Sequence, residues 1–456
     1  MTTIKLDPGA ALLLDALHGA GHAAYAVGGC VRDSLLGLAP HDWDLCTSAR
    51  PEQVMELFGE EKCIPTGLQH GTVTVKQGGR LYETTTFRTE GAYSDGRHPD
   101  AVCFVPDVRE DLARRDFTIN AMAYSAEEGL IDPFGGRDDL AAHLVRAVGE
   151  PERRFEEDAL RILRLYRFAA RFGFAIDPAT GAAARALGPH LDCVSAERIQ
   201  EELLKLLAAP RPGSYLEPAV LAVVLPELEP EKQPERFAEL CRTIDRIEPT
   251  AENVPARLAA LLCPLGEAGA RKALRKLKCS NALTDEVTAL VGGSVGSFLL
   301  PRSRDRWAGS SSEDRPLGWD PAAAGSRAGD GMARTVSEEE APGTPGSEMT
   351  LTAKRLLGRY ELPTVQRLTA LCSARHPEQA EAFAALRAET ERLTAENACC
   401  RVSQLAVNGR DLMAAGVRPG PGLRQVLNAL LEAVITGQTP NEKDALLAAA
   451  AQFSAS

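Results

Sequence analysis

No apolar run in this 456-residue sequence is long enough to cross a bilayer, since a spanning helix needs about 20 consecutive apolar residues. The first five residues, Met1 to Lys5, lack a secretory pattern. The 11 cysteines are odd in number and scattered, and no two of them form a Cys-x-x-Cys pair. That usage is typical of reduced thiols and argues against a disulfide framework or a zinc site. These absences favour a cytoplasmic protein without a membrane segment.

The sequence also lacks a net positive charge, because 51 Lys and Arg stand against 63 Asp and Glu, a balance of -12. This total does not exclude nucleic-acid binding, since exposed charges more than about 10 Å apart are largely screened. The basic residues cluster at 109–115, 146–171 and 271–278. Within the second cluster the spacing would align four side chains along one flank of a helix, Arg161, Arg164, Arg167 and Arg171. Any single cluster is more commonly a solvated face that pairs with nearby Glu.

Length and composition predict several folded domains of the α+β class. A chain of 456 residues with 44% hydrophobic residues can form about three or four compact units. In the first 140 residues, short apolar runs at 24–27 and 71–75 predict strands, and Pro51 opens a predicted helix at 51–58. From residue 140 onward, apolar residues recur at steps of three and four, most clearly at 159–172 and 196–207. This periodicity predicts an all-helical remainder.

We therefore expect a mixed α/β head at 1–140, a helical neck at 141–208, a helical body at 209–300 and 351–395, and a helical tail at 396–456. The body is interrupted at 301–350, a stretch rich in Ser, Ala, Gly and Glu with little apolar periodicity. Such a composition cannot bury enough surface to offset the entropy of ordering. We predict a disordered insertion there, with the chain refolding at Leu351.

Two aspartates one residue apart, Asp42 and Asp44, are the first chemical signal. If Trp43 between them lies in a strand, both carboxylates point to the same face. Carboxylates held that close repel each other unless a cation lies between them, and Mg²⁺ prefers carboxylate, water and phosphate oxygens. On its own, an Asp-x-Asp is commonly part of a solvated loop. The pair therefore predicts a magnesium site only together with what precedes it.

The segment upstream of the aspartates has the parts of a phosphate cradle. Gly28 and Gly29 remove side chains where a backbone must approach phosphate, and Arg32 supplies a fork-shaped donor for phosphate oxygens. A Gly-Gly pair alone is usually a turn. The occurrence of the Gly-Gly pair at this distance before Asp42 and Asp44 favours metal-assisted transfer of a nucleotide.

In the glycine pair and the two aspartates the chain resembles the nucleotidyltransferases of the DNA polymerase beta superfamily, and more narrowly the bacterial class II tRNA nucleotidyltransferase and poly(A) polymerase family. The segment 111–123, DLARRDFTINAMA, is highly specific to that family. Within it Arg115 can meet phosphate, while Asp116 and Asn120 can bond to ribose hydroxyls. The resemblance implies a third carboxylate on a strand beside the first two, and Glu83 is the candidate, although a single Glu on a half-exposed strand is usually solvated.

Four further segments gain meaning from the resemblance. The polar, glycine-bearing stretch 90–99 reads as a mobile loop. In CCA-adding relatives a flexible element here assists the switch from adding C to adding A, whereas the alternative is an ordinary connecting loop. At the far end, 407–412 and 440–443 resemble a tail that would help to hold tRNA. The segment 196–203 matches the last family motif and is expected to stabilise the neck without a chemical role.

The segment Glu157-Asp158-Ala159-Leu160-Arg161 predicts a protein template for a base. On a helix Asp158 and Arg161 are neighbours on one face, which by itself indicates an intrahelical salt bridge worth a few tenths of a kcal/mol. Alternatively, the carboxylate accepts from an exocyclic amino group and the guanidinium donates to ring nitrogens or carbonyls. Cytosine and adenine carry that amino group, whereas uracil and guanine carry a carbonyl in its place. Position and family match favour the template.

The resemblance thus implies a template-independent enzyme that adds CCA to tRNA, with CTP and ATP as substrates and Mg²⁺ as cofactor. Its RNA partner would be the 3′ end and acceptor region of tRNA. A poly(A) polymerase, or a partial enzyme that adds only C or only A, would share the head motifs. A non-catalytic nucleotide-binding regulator is the alternative from a different class, against which the intact carboxylates argue. The oligomeric state stays open.

Overall fold

The computed structural model describes residues 3–90, 102–294 and 348–453. The chain divides into two compact units, the first made of Met1–Val254 and Ala273–Cys279 and the second of Pro255–Lys272 and Ser280–Ser456. Nearly all of the predicted loop at 90–99 and of the predicted insertion at 301–350 lies outside the described residues. The exceptions are Glu90, which ends a strand, and residues 348–350, which belong to a helix. The folded chain therefore resumes at Glu348, three residues before the predicted Leu351.

A seven-stranded mixed sheet forms the centre of the head. Its strands, in chain order, are β1 (Ala24–Val27), β2 (Leu45–Thr47), β3 (Cys63–Gly67), β4 (Thr72–Gln77) and β5 (Arg80–Thr86), followed by β8 (Ala123–Ser125) and β9 (Gly129–Ile131). The order across the sheet is β3-β4-β5-β2-β1-β8-β9, and the β2–β5 pair is parallel while the other pairs are antiparallel. A separate hairpin joins β6 (Arg88–Glu90) to β7 (Val102–Phe104). The sheet puts β1 and β2 at its centre, where both are buried.

Five helices accompany this sheet in the described part of the head, and local sequence signals explain the start of the first. They are α1 (Pro8–Gly19), α2 (Gly29–Leu35), α3 (Pro51–Phe58), α4 (Val108–Ala113) and α5 (Gly136–Ala141). The carboxylate of Asp7 accepts the Gly9 N–H at 3.0 Å, and Pro8 occupies the first position of α1. The head is therefore α/β, as its alternation of strand and turn signals indicates.

The neck is helical except for one pair of short strands. Its helices are α6 (Pro151–Glu157), α7 (Leu160–Phe172), α8 (Pro178–Ala186) and α9 (Ala196–Leu207). The predicted body follows with α10 (Pro218–Val224) and α11 (Pro234–Arg246). The two helices predicted at 159–172 and 196–207 are confirmed as α7 and α9. The prediction of an all-helical remainder is wrong at β10 (Leu144–Val145) and β11 (Ala175–Ile176), which form a parallel pair. Strands of two residues are too short for an alternation pattern to be visible.

The remaining described residues are helical. Their helices are α12 (Val254–Leu262), α13 (Gly266–Lys276), α14 (Asn281–Ser294), α15 (Glu348–Arg359), α16 (Leu362–Arg375), α17 (Ala380–Ala395), α18 (Gly409–Ala414), α19 (Pro421–Ile435) and α20 (Lys443–Phe453). In the tail an apolar cluster that includes Val407, Leu412, Leu430 and Leu446 joins α18, α19 and α20. No helix among the described residues has both the length and the apolar character to span a bilayer. The α+β class is confirmed.

Candidate active site

The turn between β1 and α2 requires glycine at its first position. Gly28 has φ 76° and ψ -124°, a conformation that side chains disfavour, and a Cβ there would lie 2.9 Å from Nη1 of Arg115. Its N–H donates to the carbonyl of Met122 at 3.1 Å. A Cβ at Gly29 would instead make an ordinary 3.6 Å contact with Arg32. Of the two predicted glycines, the first is therefore required by both conformation and space.

Asp42 and Asp44 lie in the segment that leads into β2. The strand begins at Leu45 and does not include Trp43, yet the alternation holds, because both aspartates are exposed and Trp43 is 6% exposed. The carbonyl of Asp44 accepts the Val27 N–H at 3.0 Å, which fixes its backbone beside the end of β1. The carboxylate of Asp42 faces solvent and lies 3.0 Å from Nδ1 of His41.

Glu83 lies next to Asp44 across the sheet. The parallel register pairs Leu45 with Thr84, so the preceding residues, Asp44 and Glu83, are neighbours as well. Leu45 and Thr84 are buried, whereas Asp44 and Glu83 are exposed, which puts the two carboxylates on the same face. The strand that carries Glu83 is β5, which ends at Thr86, and it brings the proposed third carboxylate beside the second.

The electrostatics of Asp44 reflect this neighbour. Loss of surrounding water and the charges of Glu83 and Asp42 raise the pKa of Asp44 to about 6, against the opposing charge of Arg115. An excess of carboxylate charge is the donor chemistry that a hard divalent cation would relieve. Within the described part of the chain, no three His, Cys, Asp or Glu side chains are already arranged to hold a metal. The residues fit such an ion by their donor type, and the ligand set stays a prediction.

Three predicted nucleotide-binding residues form one hydrogen-bonded chain. Arg32 donates through Nη1 to Oδ1 of Asn120 at 2.5 Å, and Nδ2 of Asn120 donates to Oδ1 of Asp116 at 3.1 Å. All three side chains are buried. The guanidinium of Arg32 also lies 4.8 Å from the ring centroid of Phe172 and donates to Asp33 at 2.8 Å. The structure thus joins α2 to the 111–123 segment.

Arg164 extends this chain into the neck and was not predicted as a site residue. Its Nε and Nη2 donate to Oδ2 of Asp116 at 2.9 and 2.6 Å. Burial alone would raise the pKa of Asp116, but Arg164 and the hydrogen bond from Asn120 lower it to about 2. Arg167, one turn further, donates to Glu202 of α9 at 2.5 Å. The spacing of arginines in 146–171 signalled a shared flank, but their partners lie in other segments.

Arg115 lies at the Gly28 turn through its Nη1 and has one buried donor, Nε, that is not paired in the part of the chain that the structure describes. Its Nη2 donates to Asp111 at 3.2 Å. Its buried Nε finds no hydrogen-bond acceptor within residues 3–90, 102–294 and 348–453. A buried donor without a partner costs about 1–3 kcal/mol. The Nε–H of Arg115 is therefore a hydrogen-bond donor for which the described residues supply no acceptor.

Asp158 and Arg161 do not share a helix, so that part of the prediction is wrong. The helix α6 ends at Glu157, Asp158 has φ -146° and ψ 102°, and α7 begins at Leu160. Asp158 takes this extended conformation because its Oδ1 accepts the Leu160 N–H at 3.0 Å. Its Oδ2 accepts from Nη2 of Arg198 at 2.8 Å. The sequence EDALR contains neither Gly nor Pro, and the one local signal of the break is Asp158 itself, a residue type that commonly begins a helix.

Arg161 is held by a different set of acceptors. Its Nη1 donates to Oε2 of Glu157 at 2.7 Å and to the carbonyl of Arg154 at 3.1 Å. Its Nη2 donates to the carbonyl of Arg114 at 3.1 Å. No ion pair joins Asp158 to Arg161 in the described structure, so the simple intrahelical salt bridge is not formed. The two side chains are anchored independently.

Three family models match successive parts of the chain. The Poly A polymerase head domain matches residues 24–146, the RNA and SrmB-binding site of polymerase A matches 173–232, and tRNA nucleotidyltransferase domain 2 matches 359–450. The first of these matches contains the Gly28 turn, Asp42, Asp44 and the 111–123 segment. The third contains both tail motifs.

Individual relatives match along nearly the full length. The CCA-adding enzyme of Lactobacillus helveticus is 34% identical over 436 residues, 95% of this chain and 94% of the relative. That of Geobacillus stearothermophilus is 34% identical over 432 residues, 94% of this chain and 92% of the relative. The crystal structure of the Bacillus stearothermophilus CCA-adding enzyme in complex with CTP covers 98% of each chain at 31% identity and TM-score 0.74. The Thermotoga maritima CCA-adding enzyme complexed with tRNA shares the fold, at 21% identity and TM-score 0.62 over 98% of this chain and 96% of its own.

Proposed function

The chain belongs to the family of CCA-adding enzymes and is a tRNA nucleotidyltransferase, and from this premise we propose that it adds C, C and A to the 3′ end of tRNA, using CTP and ATP. The family resemblance expected from the motifs is thereby confirmed. The single observation that carries the proposed chemistry is the position of Asp44. It lies beside Glu83 on one face of the sheet, next to the end of the strand that precedes the glycine-requiring turn.

The proposed reaction is a nucleotidyl transfer. The oxygen of the terminal 3′-hydroxyl of the RNA forms a bond to the α-phosphorus of the nucleotide and loses its proton. The bond between that phosphorus and the bridging oxygen of pyrophosphate breaks, and pyrophosphate leaves. Asp42 and Asp44 would hold two Mg²⁺ ions, with Glu83 as a third carboxylate. Bound there, the ions would lower the pKa of the hydroxyl and stabilise the charge on the leaving group.

The triphosphate would lie over the Gly28 turn. Gly28 and Gly29 leave the backbone accessible, and Nη1 of Arg115 lies at the Gly28 turn, where it would supply a donor to phosphate. Arg32, Asp116 and Asn120 form the adjoining buried chain, from which hydroxyls of the ribose would find both donors and acceptors. This arrangement supports binding of a nucleotide through protein groups alone, without a metal ion.

Base choice would rest on Asp158 and Arg161. A carboxylate has room for about four hydrogen bonds and two are used here, so Asp158 can still accept from an exocyclic amino group. A guanidinium has five N–H donors, which three protein acceptors do not exhaust. Uracil and guanine would place a carbonyl against the carboxylate. One mismatch of this kind gives about tenfold to hundredfold discrimination.

The RNA would contact the neck and the tail as well as the head. The two tail motifs lie together, since Nζ of Lys443 donates to Asp411 at 2.6 Å and Asn441 accepts the Ala406 N–H at 2.8 Å. Such packing supports a folded tail that holds the acceptor region of tRNA. We also propose a cytoplasmic location, where its substrates are made.

The decisive experiment is the product sequence on a tRNA that lacks CCA, with all four nucleotides present. We expect CCA and then termination. A run of A would indicate a poly(A) polymerase, addition of only C or only A would indicate a partial enzyme, and no released pyrophosphate would indicate a non-catalytic regulator.

The same assay tests the carboxylates. Asp42→Ala and Asp44→Ala should each lower kcat at least about a thousandfold, because metal-assisted charge stabilisation supplies several kcal/mol. Glu52→Ala, which removes an exposed carboxylate from α3, is the matched control and should leave turnover unchanged. Full turnover in the Asp44 variant would overturn the metal assignment.

A further inference from the structure

The motif at 196–203 contains a residue that touches the base-reading carboxylate. Arg198 lies in the first turns of α9, and its Nη2 donates to Oδ2 of Asp158 at 2.8 Å across 40 residues of sequence. Both side chains are largely shielded, with 21% of Arg198 and 15% of Asp158 exposed. The contact links a motif without assigned chemistry to the residue that is expected to choose the base.

We propose that Arg198 is a positioning residue for base selection, and that it holds the Asp158 carboxylate in the orientation that accepts the amino group of cytosine or adenine. The inference rests on the proposed function of Asp158. It gives the 196–203 motif a part in specificity beyond stabilising the neck helix.

The local backbone explains why such a residue is needed. Asp158 lies in the break between α6 and α7, so its side chain is not oriented by the packing of a regular helix. The Leu160 N–H fixes one carboxylate oxygen. The guanidinium of Arg198 fixes the other, which prevents the carboxylate from turning between alternative orientations. A hydrogen bond from a charged donor is short and strong enough for this purpose.

The separate anchoring of the two base-reading residues makes the effect of Arg198 specific. Arg161 is held by Glu157 and by the carbonyls of Arg154 and Arg114, none of which involves Arg198. Loss of Arg198 should therefore disturb the acceptor half of the template and leave the donor half in place. The bases that benefit are uracil and guanine, which carry a carbonyl where cytosine and adenine carry the amino group that Asp158 is proposed to bind.

The test measures kcat/KM for CTP, ATP, UTP and GTP on a truncated tRNA. In Arg198→Gln the preference for CTP over UTP should fall about tenfold, with a higher KM for CTP and a smaller change in kcat. Arg198→Lys keeps the charge without the fork and should recover part of the preference. Lys205→Gln is the matched control, since Lys205 lies on the same helix and pairs with exposed Glu201 at 2.6 Å. It should keep the full preference.

The double variant Arg198→Gln/Asp158→Ala separates positioning from general damage to the neck. Its selectivity should equal that of Asp158→Ala alone, because Arg198 acts only through that carboxylate. If Asp158→Ala relaxes base choice and both Arg198 variants keep it while remaining folded by circular dichroism, the inference is overturned and the proposed function stands. If Asp158→Ala itself leaves base choice unchanged, the template role of Asp158 fails first.

Discussion

The helix α7 carries four arginines and α17 carries two, and the two helices use them in different ways. The arginines of α7 pair with carboxylates of other segments, Arg164 with Asp116, Arg167 with Glu202 and Arg171 with Asp33. The arginines of α17 pair within one turn of the same helix, Arg387 with Glu391 and Arg392 with Glu389 and Glu396. Arginines thus join separate segments in α7, whereas in α17 they pair with near neighbours along the chain.

The difference lies in which segments the partners belong to and not in burial alone, since Glu389 of α17 is buried as Asp116 and Glu202 are. Asp116 bonds directly to Asn120 of the candidate site. Glu202 lies on α9, the helix that also carries Arg198, the partner of Asp158. A buried carboxylate that loses its partner keeps the full cost of desolvation, whereas an exposed pair contributes about 0–1 kcal/mol. The charge content of a helix therefore says little about its role until the partners are known.

The largest expected effect is the loss of Arg164. Arg164→Ala leaves Asp116 buried without its cation, and we expect the free energy of unfolding in urea to fall by about 3 kcal/mol at pH 7. The pKa of Asp116 is lowered to about 2, so its contribution is complete above the ordinary value near 3.8 and is lost as the pH falls toward 2. The difference between variant and wild type should accordingly shrink at pH 3. A variant as stable as the wild type at pH 7 would remove the distinction between the two helices.

How much of this could be predicted from the sequence follows from the range of each interaction. The bounds of α7 and α9 agree to within one residue with the predicted 159–172 and 196–207, because helical periodicity is local. The alternation at Asp42 and Asp44 was equally local. The partner of Arg164 lies 48 residues away, and no spacing in the sequence specifies it. The break at Asp158 was missed because it depends on a side-chain bond to Leu160 and not on a helix-breaking residue.

An intermediate effect is expected at Asp44, where like charges replace the opposite charges of α7. Partial loss of hydration to the surrounding groups, together with the charges of Glu83 and Asp42, raises the pKa of Asp44 to about 6, so the folded protein binds more protons than the unfolded chain between pH 4 and 6. The carboxylate therefore lowers stability as the pH rises through that range. In EDTA, Asp44→Asn should have the same free energy of unfolding as the wild type at pH 4. At pH 7.5 its free energy of unfolding should be higher by about 1 kcal/mol, after allowance for solvent screening.

Magnesium sharpens that measurement. An ion that binds the folded wild type through Asp44 stabilises it by mass action. Added Mg²⁺ should therefore reduce the difference in free energy of unfolding between Asp44→Asn and the wild type at pH 7.5. Glu52→Gln, which changes an exposed carboxylate of the same unit, should show neither the pH-dependent gain nor the response to Mg²⁺. If the difference in free energy of unfolding between Asp44→Asn and the wild type stays constant from pH 4 to 7.5, then Glu83 and Asp42 do not destabilise the charged form of Asp44.

The smallest effect belongs to Arg387, and it completes the comparison with α7. Its Nε lies 3.1 Å from Oε1 of Glu391, and both side chains are nearly half exposed. Because water solvates both charges, Arg387→Ala should lower the free energy of unfolding by about 0.4 kcal/mol, and even that should fade between 0.05 and 0.5 M salt, roughly a threefold change in screening length. The loss from Arg164→Ala should persist over the same range, since its partner is shielded from salt. Equal losses in the two variants, or equal sensitivity to salt, would show that burial of Asp116 does not set the two helices apart.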